Sequence, residues 1–110
     1  MAIKDLTKIK QHLFLCNGAS CKLLGAEEST VAIRTAISEY GLSDEIHTTK
    51  TLCNGRCKDG PIVIAHPDGL WFKKMVKEEA ERFVKNYLGL QIIPVQKVLY
   101  EYGRDAIDAT

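Results

Sequence analysis

A chain of 110 residues, 45% hydrophobic and 26% charged, has room for one core rather than two, and its formal charge of +1 excludes a strong electrostatic pull toward nucleic acid or anionic membrane. No apolar run approaches the roughly 20 residues of a membrane span. The start, Met1-Ala2-Ile3-Lys4-Asp5, carries neither a secretory h-region nor a small-residue cleavage site, so a cytoplasmic location is expected, where thiols are kept reduced.

Taken in chain order, the pattern alternates strand and helix. Lys10 to Leu15 runs Leu13-Phe14-Leu15 into Cys16, a short apolar run before a glycine turn that reads as a buried strand. From Ala26 to Tyr40, Ile33, Ala36, Ile37 and Tyr40 recur at helical spacing, and Gly41 sits where a helix stop belongs. Glu45 to Leu52 is rich in Thr and Ile and predicts a second strand leading to Cys53. Pro61-Ile62-Val63-Ile64-Ala65 predicts a third, His66-Pro67-Asp68-Gly69 is turn chemistry, and Leu70-Trp71-Phe72 returns as the hairpin partner. Ala80, Phe83, Val84, Tyr87 and Leu88 line one face of a helix ending at Gly89. Beyond it, Pro94 suits the first position of a short helix, with Val95, Val98, Leu99 and Tyr102 on one face and Gly103 as its stop.

Helices interleaved with strands predict an α/β sandwich whose closing β-β-α matches the second half of a thioredoxin-like fold. The expected architecture is a central mixed four-stranded sheet flanked by helices, in the order β-α-β-β-β-α, plus the short C-terminal helix. Residues 1–110 are expected to form a single domain, with a core at about 10–88 and a C-terminal extension at 89–110. The active-site Cys-x-x-Cys of a thioredoxin is not present.

All four cysteines fall in the loops after the first two strands, where α/β sheets place ligands. Cys16 and Cys21 are spaced C-x4-C, Cys53 and Cys57 are spaced C-x3-C, and each pair opens with the tripeptide Cys-Asn-Gly. Asn and Gly tolerate left-handed backbone, and Gly lets the main chain approach a bound group. Backbone N–H groups aimed at sulfur stabilise the added negative charge of a reduced iron–sulfur cluster, so the repeat reads as two half-cradles. Three uses of four thiols remain open on spacing alone. Structural zinc takes four cysteines but favours tighter knuckles; a dithiol switch lacks its usual motif; a [2Fe-2S] cluster takes two thiolates per iron and tolerates wider loops.

The combination of Cys16-Asn17-Gly18-Ala19-Ser20-Cys21, Cys53-Asn54-Gly55-Arg56-Cys57, Asp59-Gly60-Pro61 and the run from Ile62 to Phe72 resembles the thioredoxin-like [2Fe-2S] ferredoxins. It is similar also to the small [2Fe-2S] subunit of respiratory NADH:quinone oxidoreductases and related hydrogenases. Those proteins share the C-x3-C pair, the Gly-Pro or Ala-Pro beyond it, the Pro-Asp-Gly hairpin and a helix opening like Val76-Lys77-Glu78-Glu79. The match spans about residues 10 to 88. The free-standing ferredoxins have a longer loop between the first two cysteines, whereas C-x4-C matches the respiratory subunit, whose preceding helical extension has no counterpart in the sequence. The resemblance implies that Cys16 and Cys21 hold one iron and Cys53 and Cys57 the other. It implies a one-electron carrier that is not an enzyme, serving a redox partner such as a dehydrogenase or hydrogenase. It also implies a homodimer, with the apolar C-terminal face as the candidate surface. The alternative of another class is a zinc-stabilised four-cysteine structural or interaction module.

Lys22, Arg56 and Lys58 lie beside the cysteines, and positive charge near an anionic cluster favours its reduced form. With four thiols available, His12, His47 and His66 are expected to be structural or surface residues rather than ligands. Trp71 is expected in the core. Lys73-Lys74 and the run from Lys77 to Arg82 read as wet faces, without the aromatic interleaving of a nucleic-acid surface. No phosphate-binding, dinucleotide or nucleophile motif is found.

Overall fold

A computed structural model describes residues 3–107, apart from the side chain of Cys57. In chain order these residues form β1 (Gln11–Cys16), α1 (Ala19–Leu23), α2 (Ala26–Glu39), β2 (Ile46–Thr51), β3 (Val63–His66), β4 (Leu70–Phe72), α3 (Lys77–Phe83), which widens into a π-helical turn at Val84–Gly89, and β5 (Val98–Glu101). The sheet order is β2-β1-β3-β4-β5. β1 and β2 are parallel, as a strand–helix–strand unit requires, and the remaining neighbours are antiparallel.

Period-2 alternation decides which side chains face the helices. Leu13 and Leu15 of β1, Val63 and Ala65 of β3, and Leu70 and Phe72 of β4 all enter one buried cluster. α2 contributes Ile33, Ala36 and Ile37 to it, and the second helical segment adds Ala80, Phe83, Val84, Tyr87 and Leu88. At its centre Phe72 meets Phe83 and Tyr87 edge-on, with ring centroids 5.0 Å apart in both cases. Burying each such side chain contributes roughly 1.5–3 kcal/mol before entropy is counted. Tyr40, expected on the buried face of α2, is 42% exposed, and its hydroxyl donates to Glu81 at 3.2 Å.

The C-terminal segment departs from the expected helix. Val95–Lys97 is a single 3-10 turn, and Val98–Glu101 is a fifth strand, so the sheet has five strands rather than four. Phe72 pairs with Val98, Trp71 with Tyr100 and Leu70 with Glu101. The apolar spacing of Val95, Val98, Leu99 and Tyr102 suits a helix, but β4 without a partner would expose a row of backbone donors and acceptors. Val, Leu and Tyr suit a strand equally well, and the open edge decides between the two. Leu99 is thereby buried, while Tyr102 and Val95 are left in solvent.

The other sheet face carries a smaller cluster of Cys16, Cys21, Ala26, Ile62 and Leu99, with Ile64, Trp71 and Tyr100 packed beside it. Trp71 is half-buried there rather than in the main core. Among the described residues no helix is long and apolar enough to cross a membrane.

Candidate functional site

Parallel pairing places the ends of β1 and β2 side by side. Cys16 is the register partner of Thr51, so both cysteine loops leave the sheet at the same end. The Asn17 amide donates to the Thr51 carbonyl at 2.9 Å, and Cys16 Sγ lies 3.5 Å from the Leu52 carbonyl. The first loop folds into the short helix α1, which the sequence pattern did not predict. That helix carries Cys21 back so that its Sγ lies 3.4 Å from Cys16 Sγ. Both of these cysteines are buried, and Cys53 is exposed.

Two glycines make the seam. A Cβ on Gly18 would stand 2.8 Å from the Cys53 Cα and 2.9 Å from its N and Cβ. A Cβ on Gly60 would stand 2.7 Å from Cys21 Sγ. Each glycine is therefore a place where one cysteine segment rests directly on the other, and larger residues would force them apart.

The repeated tripeptide is used alike in one respect and differently in another. In both copies the glycine amide serves the sulfur two residues earlier: Gly55 N–H donates to Cys53 Sγ at 3.3 Å, and Gly18 N–H is directed at Cys16. The asparagines diverge. Asn17 is buried, donating to the Leu15 carbonyl and the Thr30 hydroxyl at 3.1 Å each. Asn54 instead donates its side-chain amide to the Thr51 hydroxyl at 2.7 Å and the Leu52 carbonyl at 3.1 Å, and its N–H groups help to lower the pKa of Cys16. Only Gly55 takes the left-handed backbone, with φ +88°; Gly18 has φ −63° and is required by the close approach instead.

These contacts set the electrostatics. Burial opposes ionisation of Cys16, but the amides of Gly18 and Asn54, the Asn54 side chain and the Cys21 thiol stabilise the thiolate, and the net result is a pKa below the ordinary thiol value. Two of the three neighbouring cations are already paired. Lys22 Nζ lies 3.5 Å from Glu27, and Arg56 Nη2 lies 2.7 Å from the buried carboxylate of Asp59. From sequence Asp59 counts only as part of Asp59-Gly60-Pro61, with no partner assigned, although its i,i+3 spacing from Arg56 is a usable signal.

The thiols suit a thiophilic group: soft donors, with Cys16 held toward its thiolate, glycine amides aimed at sulfur and backbone close enough to shield them. Among the described residues no three Cys, His, Asp or Glu side chains converge on one point as the ligands of a single ion would. The histidines lie elsewhere. His47, His12 and His66 are direct neighbours across β2, β1 and β3, four residues up the strand from Cys16. His12 Nε2 bonds the Thr49 hydroxyl at 2.7 Å. Burial, then the neighbouring His47 and His66, hold its pKa below the ordinary value.

No protein-family model matches the chain. It is 42% identical, over 100 residues, to a candidate 2Fe-2S ferredoxin of Priestia megaterium, covering 91% of this chain and 78% of that protein. It is 30% identical, over 89 residues, to a 2Fe-2S ferredoxin of Clostridium pasteurianum, covering 72% of this chain and 85% of that one. The fold superimposes on the solved structure of a thioredoxin-like [2Fe-2S] ferredoxin from Aquifex aeolicus with a TM-score of 0.79, across 91% of this chain and 99% of that one, at 22% identity.

Proposed function

The chain belongs to the thioredoxin-like [2Fe-2S] ferredoxins, and we propose that Cys16, Cys21, Cys53 and Cys57 are the ligands through which it works as a one-electron carrier. It is an electron-transfer protein rather than an enzyme, and its cofactor is a [2Fe-2S] cluster. The observation that carries the ligand reading is the Gly18–Cys53 contact, which closes the two cysteine loops on each other across less than a side chain's width. A bound cluster supplies the redox chemistry, accepting and releasing one electron at a time. The residues of this chain do the rest. Gly18, Gly55 and Asn54 donate N–H groups toward sulfur, and the packing of Ala26, Ile62 and Leu99 beside Cys16 and Cys21 keeps water from one side of the site. The relatives give a zinc-stabilised module no support.

A redox partner protein follows from the carrier role. That it is a dehydrogenase, hydrogenase or similar oxidoreductase, that the chain works in the cytoplasm as one domain, and that it pairs as a homodimer through its C-terminal segment belong to the same proposal. Leu90, Ile92, Ile93 and Val95 all stand exposed on that segment and support the last point. The ends of the expected domain, residues 1–2 and 108–110, lie outside the described residues.

The test is anaerobic purification, iron analysis, a visible spectrum, and EPR after dithionite, on the wild type and on each Cys→Ser variant. A red-brown protein that bleaches on reduction, with the spectrum altered or lost in all four variants, is expected. A colourless wild type holding about one zinc per chain would sink the carrier reading, and a Cys57→Ser variant with an unchanged spectrum would remove Cys57 from the ligand set.

A further inference from the structure

By its position in the chain, Arg56 is one of three cations that favour the reduced form of the site. Its surroundings say otherwise. Asp59 is only 4% exposed, and its Oδ2 accepts from both Arg56 Nε at 2.9 Å and Arg56 Nη2 at 2.7 Å. The Asp59 amide donates to the Arg56 carbonyl at 3.0 Å, so the pair closes a turn around the backbone of Cys57. The same turn is anchored on two more sides. The Asp59 carbonyl accepts from Lys74 N–H at 2.8 Å, and Gly60 rests on the Cys21 sulfur. A buried carboxylate holding a half-buried guanidinium this tightly is an element of the site, not a surface ion pair.

We propose that Asp59 is a positioning and tuning residue for electron transfer: it pins Arg56 in the turn that presents Cys57 and cancels the guanidinium charge, holding the reduction potential lower than Arg56 alone would set it. The inference rests on the ligand reading above. Reduction adds one negative charge to the site, so each half of the pair acts on it with opposite sign. Without Asp59, the Arg56 cation favours reduction. Without Arg56, the buried Asp59 anion opposes it. Without both, the two effects leave together. A purely structural role has no such sign pattern.

The experiment is an EPR-monitored dithionite titration with dye mediators on the iron-loaded protein, after iron content and the visible spectrum have been matched across variants. D59N is expected to shift the reduced-to-oxidised ratio at fixed potential at least threefold toward reduced, a rise of about 28 mV for a one-electron couple. R56Q is expected to shift it at least threefold toward oxidised, and R56Q/D59N to return within about twofold of the wild type. The exposed Lys58, in K58Q, is a screened comparator with a smaller shift than either single variant. Single variants moving in the same direction, or a double variant that keeps the D59N shift, would overturn the proposal. Should R56Q fail to load because Asp59 is left buried and alone, D59N against the double variant decides the matter: removing Arg56 must reverse the D59N shift, and a shift that persists overturns the proposal. A wild type without a cluster brings down the ligand reading as well; a loaded wild type with the wrong signs brings down this inference alone.

Discussion

Gly18→Ala tests whether the seam between the cysteine loops is as tight as the geometry requires. The backbone at Gly18, φ −63° and ψ 167°, is one that alanine adopts without strain. By itself the substitution would therefore stabilise the protein by roughly 0.4–1 kcal/mol, through the unfolded chain. Against this, the new Cβ would sit 2.8 Å from Cys53 Cα and 2.9 Å from Cys53 N. These are backbone atoms, which cannot rotate away. The loops must open by about 0.6 Å, the gap between 2.8 Å and the 3.4 Å at which ordinary contact begins. Overpacking of this kind costs about 1–3 kcal/mol, so the net expectation is a loss centred at ~1.3 kcal/mol and reaching at most ~2.6 kcal/mol. On a domain of this size that is a fall in Tm of several degrees. Because the displaced segment carries Cys53, the visible spectrum should shift or weaken alongside the Tm. Thermal melts and spectra of the loaded protein measure both. A G18A protein more stable than the wild type by roughly 0.4–1 kcal/mol, with an unchanged spectrum, would refute the reasoning, since only the unfolded-state term would then survive.

Other consequences are as direct. Leu99→Ala removes a side chain 1% exposed from beside Cys16 and Ile62, and should cost about 2–4 kcal/mol by denaturant titration; a change under about 1 kcal/mol would argue against β5 as a packed strand. Tyr87→Phe loses the 2.6 Å bond to Asp68 but keeps the ring against Phe72; Asp68 is exposed and rehydrates, so a loss of only about 1 kcal/mol is expected. The substitution also deletes a phenol whose pKa burial, then the hydrogen bond and charge of Asp68, hold above the ordinary tyrosine value, so the variant lacks that late-titrating tyrosine in an alkaline absorbance titration. The lowered pKa of His12 predicts the sign of an acid response: the unfolded chain takes up a proton as pH falls below about 6.5 while the folded chain resists it, so stability present at neutral pH declines toward the lower folded value. Thermal melts from about pH 7.5 to 5.5 should therefore slope less steeply for His12→Gln than for the wild type, and equal slopes would remove His12 as the cause.

The local elements and the chemistry of the site were legible from the order of residues. Apolar alternation in Leu13–Leu15 and Val63–Ala65, the helical spacing of Ile33, Ala36 and Ile37, the Pro-Asp-Gly hairpin and two cysteine pairs after two strands are all written in near neighbours, whose interactions depend little on the rest of the chain. The sequence likewise predicted no membrane span, and among the described residues no helix is long and apolar enough to be one. What tertiary structure decided were the points where a distant partner outweighs local preference. Val98–Glu101 became a strand because the open edge of β4 needed hydrogen bonds, although its spacing also fits a helix. Gly18 and Gly55 stand in the same tripeptide, yet one is glycine for want of room against Cys53 and the other for its φ of +88°. Arg56 reads as a cation from sequence, and becomes half of a neutral pair only once Asp59 is buried beneath it. Proximity in sequence specifies which groups are available; burial and long-range contact specify what each of them is worth.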